Sequence, residues 1–293
     1  ITSGWLAGYT PLHVACHCRA PFQVVSALLK SRPNAAKQKG LDGHTPLHVA
    51  CSDRAPLEIV AALLQVWPDA VKEKGKYGRT PLHTACWWNE PPLDIVTALV
   101  NVCPDAAVEK DEHGSTPLHY ACSDKVSLDV VAVLVKVWPD AVKEKNYSGW
   151  TPLHEACLNG SPLEVTALLL NTWLAYKENR SKDALMCFQP YISKYASDIT
   201  RRKRDCKILL SHLLSFCNSN TDHASDNEAM NYFICTEMWT GATLVLDRYP
   251  TIAKTMELDI KVMSNFLSMG GRCCKLSTMW EVLCNEQDLL KVV

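Results

Sequence analysis

The stretch TPLHVAC, Thr45–Cys51, decides how this chain is read, because it occurs again with little change throughout the first half. TPLHVAC also starts at Thr10, TPLHTAC at Thr80, TPLHYAC at Thr116 and TPLHEAC at Thr151. The successive spacings are 35, 35, 36 and 35 residues. A fixed period of this length marks one supersecondary unit copied in tandem, whose apolar faces are buried by stacking on neighbours.

The second copy shows what one unit builds. Thr45 is a helix cap and Pro46 sits at the first helical position, where a proline removes no needed donor. After CSDR a second helix is expected from Pro56, with Glu58 favouring the positive end of its dipole. In the fifth copy Ser161 and Glu164 have the spacing of a capping box. Ile59 with Leu63, and Val60 with Leu64, form an apolar stripe at i, i+4 that one helix pair cannot bury. Trp67-Pro68 stops this helix. DAVKEKGKYGR then reads as an extended arm turning at Gly78, and Gly8, Gly43, Gly78, Gly114 and Gly149 hold the same register position, suited to positive φ. Trp67 and Trp138, in register before PDAV, read as packing at the helix end.

DGHTPLHVA and YGRTPLHTA resemble the ankyrin repeat, over Gly8 to about Lys177. The resemblance implies an all-α dominated solenoid of helix-turn-helix units with hairpin fingers, followed by a helical C-terminal region. It also implies a protein-binding scaffold without catalytic residues, which reads its partner with the finger tips and the concave face of the first helices. The family's common unit is 33 residues. These copies add one residue between the helices and one after the second helix, where WPDAV replaces the family's GADVN. That change also removes the asparagine that some ankyrin repeats offer for hydroxylation.

Each copy pairs a histidine and a cysteine three apart, from His13 and Cys16 to His154 and Cys157, a spacing compatible with zinc ligands. The resemblance implies instead a structural histidine bonded to the finger and the threonine, and a cysteine in place of a buried alanine. No metal and no cofactor is expected. Equivalent cysteines on stacked helices should lie about 8–10 Å apart, beyond the roughly 7 Å that a disulfide spans. Fourteen cysteines then indicate a reducing, intracellular and cytoplasmic setting.

Composition agrees with a folded chain: 47% hydrophobic and 21% charged residues over 293 positions. A net charge of −1 gives no reason to expect nucleic acid or an anionic membrane as partner. The longest apolar runs, VSLDVVAVLVKVW and PLEVTALLLNTWLAY, are interrupted by Asp129, Lys136, Glu164 and Asn171, short of the roughly 18 apolar residues of a membrane span. No phosphate loop, nucleophile elbow or paired-carboxylate spacing stands apart from the repeat, so the chain is not read as an enzyme. It begins at Ile1 without an initiator methionine and reads as truncated there. The alternative function is therefore the regulatory C-terminal part of a larger enzyme or signalling protein.

The sequence divides into 1–180, the solenoid with repeats starting near 10, 45, 80, 116 and 151, and 181–293, degenerate capping repeats and helices. NRSKDALMCFQPYISKYASD reads as a worn cap with Arg180, Ser181, Lys182 and Asp183 facing water. CKILLSHLLSFC, EAMNYFICTEMWTGATLVLDRYP, DIKVMSNFLSM and STMWEVLCNEQDLL read as helices, and LVLDRYPTIA echoes LLQVWPDAV. RRKRDCK, with Arg201–Arg204, is a solvated helix start or a nuclear-import patch. The two KEK stretches read as mixed-charge solvated arms. Whether the solenoid end is covered by the C-terminal helices or by another chain, and hence the oligomeric state, is open.

Binding residues follow from aligning the copies. The two positions after each TPLHxAC are His17-Cys18, Ser52-Asp53, Trp87-Trp88, Ser123-Asp124 and Leu158-Asn159, which are polar or variable and not core. Thr84, Tyr120 and Glu155 fall on the same face, and Tyr77, Arg79, His113, Tyr147 and Trp150 at the finger tips. Aromatic residues and arginine carry much of the energy of protein interfaces. The expected partner site is therefore Trp87, Trp88, Tyr77, Arg79, His113, Tyr120, Tyr147 and Trp150. The third copy alone is 36 residues long, its extra residue lying beside Trp87 and Trp88, so one of the two could instead fold over the loop NEPP.

Overall fold

A computed structural model describes residues 8–88, 90–123, 125–190, 201–215, 223–236 and 238–248. Its contacts divide the chain into two compact units, residues 1–165 and 166–293.

The first unit is built from helix pairs. The first helix of each copy is α1 (Pro11–His17), α3 (Pro46–Ser52), α5 (Pro81–Cys86), α7 (Pro117–Ala121) and α9 (Pro152–Asn159). The second is α2 (Phe22–Ser31), α4 (Leu57–Val66), α6 (Leu93–Val102), α8 (Leu128–Val137) and α10 (Leu163–Leu174). Successive first helices stack on one another, as do α2, α4, α6 and α8. The unit boundary falls inside α10.

Each first helix starts by one local device. The threonine before it is extended, with φ near −86° and ψ near 165° at Thr45, and proline follows. The histidine at the third helical position bends back: His48 Nδ1 accepts from the Thr45 backbone N–H at 3.2 Å and lies 2.8 Å from its hydroxyl. This is a capping box with imidazole in the place usually held by a carboxylate. It recurs in all five copies. An Nδ1 that accepts leaves the proton on Nε2. That Nε2–H donates across the stack at 3.0 Å to a carbonyl 31 or 32 residues later: His13 to His44, His48 to Arg79, His83 to Ser115 and His119 to Trp150. Both ring nitrogens are thus engaged, and among the described residues no group of three or more potential ligands is arranged to hold a metal ion. The partner cysteines Cys16, Cys51, Cys86, Cys122 and Cys157 are wholly buried and form no disulfide.

The second helices bury the predicted stripe, Ile59, Val60, Leu63 and Leu64 in the second copy. Stacking is what buries it. Val24, the first copy's counterpart of Ile59, is 46% exposed while Ile59 itself is 0% exposed, because among the described residues no copy precedes the first. Pro56 proves to be the cap, and the helix proper begins at Leu57. In the fifth copy the helix begins at Leu163, so Ser161 lies outside the capping position; its hydroxyl donates to the Ser123 carbonyl at 3.0 Å instead.

The arm after the second helix is not extended throughout. PDAVK folds into a 3-10 turn at Pro68–Lys72 and again at Pro139–Lys143, burying Ala70, Val71, Ala141 and Val142. Trp67 and Trp138 are half-buried at these junctions. The finger beyond is closed at its base by Gly75 N–H to Arg79 O at 2.8 Å, and in the next copy by Asp111 N–H to Ser115 O at 3.0 Å, with turn bonds from Gly78 N–H to Gly75 O and Gly114 N–H to Asp111 O inside. All five predicted glycines have φ between +70° and +79°. Among the described residues no strand forms. The KEK segments are not free solvated arms: Lys39 pairs with Glu73, Lys74 with Glu109 and Lys110 with Glu144 at 2.8, 3.0 and 2.6 Å. These exposed pairs form a ladder along the stack, each pair worth about 0–1 kcal/mol.

In the second unit, Trp173 meets Phe188 edge to face at 5.3 Å, and α11 (Lys182–Met186) is capped by Ser181. Ser181, Lys182 and Asp183 are exposed, but Arg180 turns inward and its Nε donates to the Leu174 carbonyl at 2.7 Å. α12 (Arg201–Ser215) contains the basic cluster in its first turns. The long EAMNYFICTEMWTGATLVLDRYP reading is divided into α13 (His223–Cys235) and α14 (Trp239–Arg248). Gly241 permits their close approach, since a Cβ there would meet the Phe233 ring at 2.9 Å. DIKVMSNFLSM, STMWEVLCNEQDLL and the end of LVLDRYPTIA lie outside the described residues.

Candidate partner-binding groove

Trp87 ends α5 with helical φ/ψ and is 53% exposed. An exposed indole needs something to hold it, and Arg79 does so from the preceding finger. Its guanidinium carbon lies 4.1 Å from the Trp87 ring centre, 5.0 Å from that of Tyr120 and 5.3 Å from that of Tyr77. Three aromatic rings around one guanidinium form a cation–π cluster. Tyr77 is placed for this by a left-handed backbone, φ +61°, unusual for a residue with a Cβ.

A buried carboxylate anchors the cluster. The Asp111 side chain is 0% exposed, with Oδ2 4.0 Å from Arg79 Nε. Asp111 Oδ1 accepts from the His113 and Ser115 backbone N–H groups at 2.9 and 2.8 Å. Oδ2 accepts from the Tyr120 hydroxyl at 2.6 Å. Burial and then this hydrogen bond push the Tyr120 phenol up to about 12, so it stays protonated and donates.

Asn146 holds the same finger position in the next copy. Its Oδ1 accepts from the Ser148 and Trp150 N–H groups, and its Nδ2 donates to Glu155 Oε1 at 3.3 Å. In both copies, then, the first finger residue fixes the side chain nine residues downstream, at the variable position of TPLHxAC. Beside this row lies an open groove of about 330 Å³, lined by Trp87, Ser115, His119, Tyr120, Ser123, Glu155 and Asn159.

The eight residues expected at the partner site therefore fall into separate places. Tyr77, Arg79, Trp87 and Tyr120 form one cluster, and the His113 ring lies 6.1 Å from Tyr77. Tyr147 is 82% exposed, and its backbone N–H donates to the His113 carbonyl at 2.9 Å. Trp150 is half-buried, and its carbonyl accepts from His119. Trp88 turns the other way, toward Arg54 of the second copy, whose guanidinium carbon lies 5.3 Å from its ring centre. Thr84, at the same repeat position as Tyr120 and Glu155, is buried, and its hydroxyl donates to the Pro81 carbonyl at 2.7 Å. Asp111 and Ser115 were not anticipated, and Asn159 was placed among the non-core positions but not among the eight. For Asp111 a signal existed, since Asp111 and Asn146 replace the glycines Gly40 and Gly75 of the same register position.

Helix pairs stacked in register, with a finger between successive copies, define a tandem-repeat solenoid. A family model described as ankyrin repeats, in three copies, matches residues 12–109 and 89–183, and the chain belongs to the ankyrin repeat family. Ankyrin repeats generally mediate protein–protein interaction and are typically non-catalytic. No curated protein matches the chain. Among the described residues no helix is long and apolar enough to cross a membrane.

Proposed function

We propose that this protein is an interaction scaffold or adaptor that holds a protein partner on the face formed by its first helices and fingers, centred on Trp87. The observation that carries this reading is the Trp87–Arg79–Tyr120 cluster. Its indole stays more than half exposed while an arginine beneath it is tied to a wholly buried carboxylate. A large aromatic surface held rigid before binding loses little side-chain freedom when a partner covers it. None of the described cysteines forms a disulfide, which fits an intracellular setting.

Affinity capture with the full chain, compared with Trp87→Ala and Trp88→Ala variants of unchanged melting temperature, tests the reading. Loss of a hot-spot aromatic of about 2 kcal/mol or more lowers affinity roughly thirtyfold. Captured partners should therefore disappear with Trp87→Ala and persist with Trp88→Ala. Equal recovery by wild type and Trp87→Ala would overturn it.

A further inference from the structure

The variable position of TPLHxAC is Val14, Val49 and Thr84 in the first three copies and Glu155 in the fifth. Glu155 is a half-buried carboxylate whose described hydrogen bond comes from a neutral amide, Asn146 Nδ2 at 3.3 Å. None of the ion pairs among the described residues includes it. Burial pushes its carboxyl above the usual range, the behaviour of an acid short of a compensating charge.

The groove around it has a consistent chemistry. Asn159 donates its Nδ2 to the Cys122 carbonyl at 2.8 Å, which leaves its Oδ1 as an acceptor. Arg79, the nearby cation, is engaged by Trp87, Tyr120 and Asp111 and does not line the groove. Trp87, which also lines the groove, is the aromatic side chain best suited to a cation. At about 330 Å³ the space is at the lower end of ligand sites, room for one long side chain.

We propose that this groove receives a single arginine or lysine side chain of a partner polypeptide, its cation seated between the Glu155 carboxylate and the exposed Trp87 indole. An arginine suits it best, because a guanidinium can pair with a carboxylate while stacking on an aromatic surface. This inference rests on the protein-binding reading above, and adds to it the charge of the residue that is read.

Phage-displayed random peptides, panned on the full wild-type chain and on Glu155→Gln, test it. Wild type should select peptides sharing one basic position, and Glu155→Gln should select peptides without that preference. For a selected peptide, replacing the basic residue by citrulline or norleucine should weaken binding to wild type about tenfold or more, the scale of a charge-assisted pair. The same replacement should change binding to Glu155→Gln about twofold at most. The wild-type arm of the peptide replacement needs no variant, so a poorly folded Glu155→Gln leaves that arm intact. Peptides that bind at Trp87 with no basic residue in common would overturn the inference and leave the protein-binding reading standing. Peptides that bind Trp87→Ala as well as wild type would overturn the reading itself, and a library that yields no binder would count against both.

Discussion

Mild acid should unfold the repeat stack well before most carboxylates titrate. His48, His83, His119 and His154 are at most 5% exposed, and burial lowers His48 to about 3 and the other three to about 4. Protonation is disfavoured for a visible reason: Nδ1 already accepts from the threonine N–H, so a proton there breaks the helix cap. A histidine whose folded value lies below its unfolded value of about 6.5 binds its proton more readily in the unfolded chain. Its contribution is complete above pH 6.5 and is lost as the pH falls from there toward 4. Each such histidine loses about 1.4 kcal/mol per pH unit in that window. Four together lose about 5 kcal/mol by pH 5.5, comparable with the whole stability of a typical domain, about 5–15 kcal/mol. Urea unfolding followed by circular dichroism at pH 7.5, 6.5 and 5.5 measures this. The midpoint should fall modestly over the first interval, by about a quarter of the total, and steeply over the second. A midpoint equal at pH 7.5 and 5.5 would refute the assignment of these imidazoles as neutral, buried donors.

Two further substitutions probe the packing. Asp111→Ala strips acceptors from the His113 and Ser115 N–H groups and the Tyr120 hydroxyl, and leaves Arg79 without its carboxylate. It should cost about 3–5 kcal/mol by urea unfolding, and Asp111→Asn distinctly less; a wild-type midpoint for Asp111→Ala would show that the carboxylate does not hold the cluster. Gly241→Ala places a methyl against the Phe233 ring and should cost about 1–3 kcal/mol, read as a lower thermal midpoint; an unchanged midpoint would mean that α13 and α14 do not need that close approach.

The repeat and the starts of its helices were legible because their causes are local: threonine, proline and histidine within four residues of each other build each cap. The 3-10 turn at PDAVK was not, since Ala70 and Val71 are buried by the neighbouring helix α5, and local residues specify only the stop at Pro68. The Lys–Glu ladder escaped for a related reason. Its partners are some 35 residues apart, and only the stacking register shows that Lys74 meets Glu109 rather than its own neighbour Glu73. At the groove, aligning the copies identified the exposed aromatics but could not separate Trp87 from Trp88. What divides them is which arginine each meets, Arg79 or Arg54. Asp111 was hidden by its resemblance to an ordinary finger charge, and the burial of Thr84 was not visible because a threonine can satisfy its hydroxyl on its own helix.

The histidine bonds across the stack all point one way, from a copy toward the carbonyl of the copy after it. During synthesis a chain grows in that same direction. Each newly emerged copy therefore holds a buried-type donor whose acceptor has not yet been made, and it is completed only when the next finger leaves the ribosome. Each of these bonds can therefore close only after the next copy's finger has emerged, and the Trp87 surface is complete only after Asp111 and Tyr120, which belong to later sequence, have arrived.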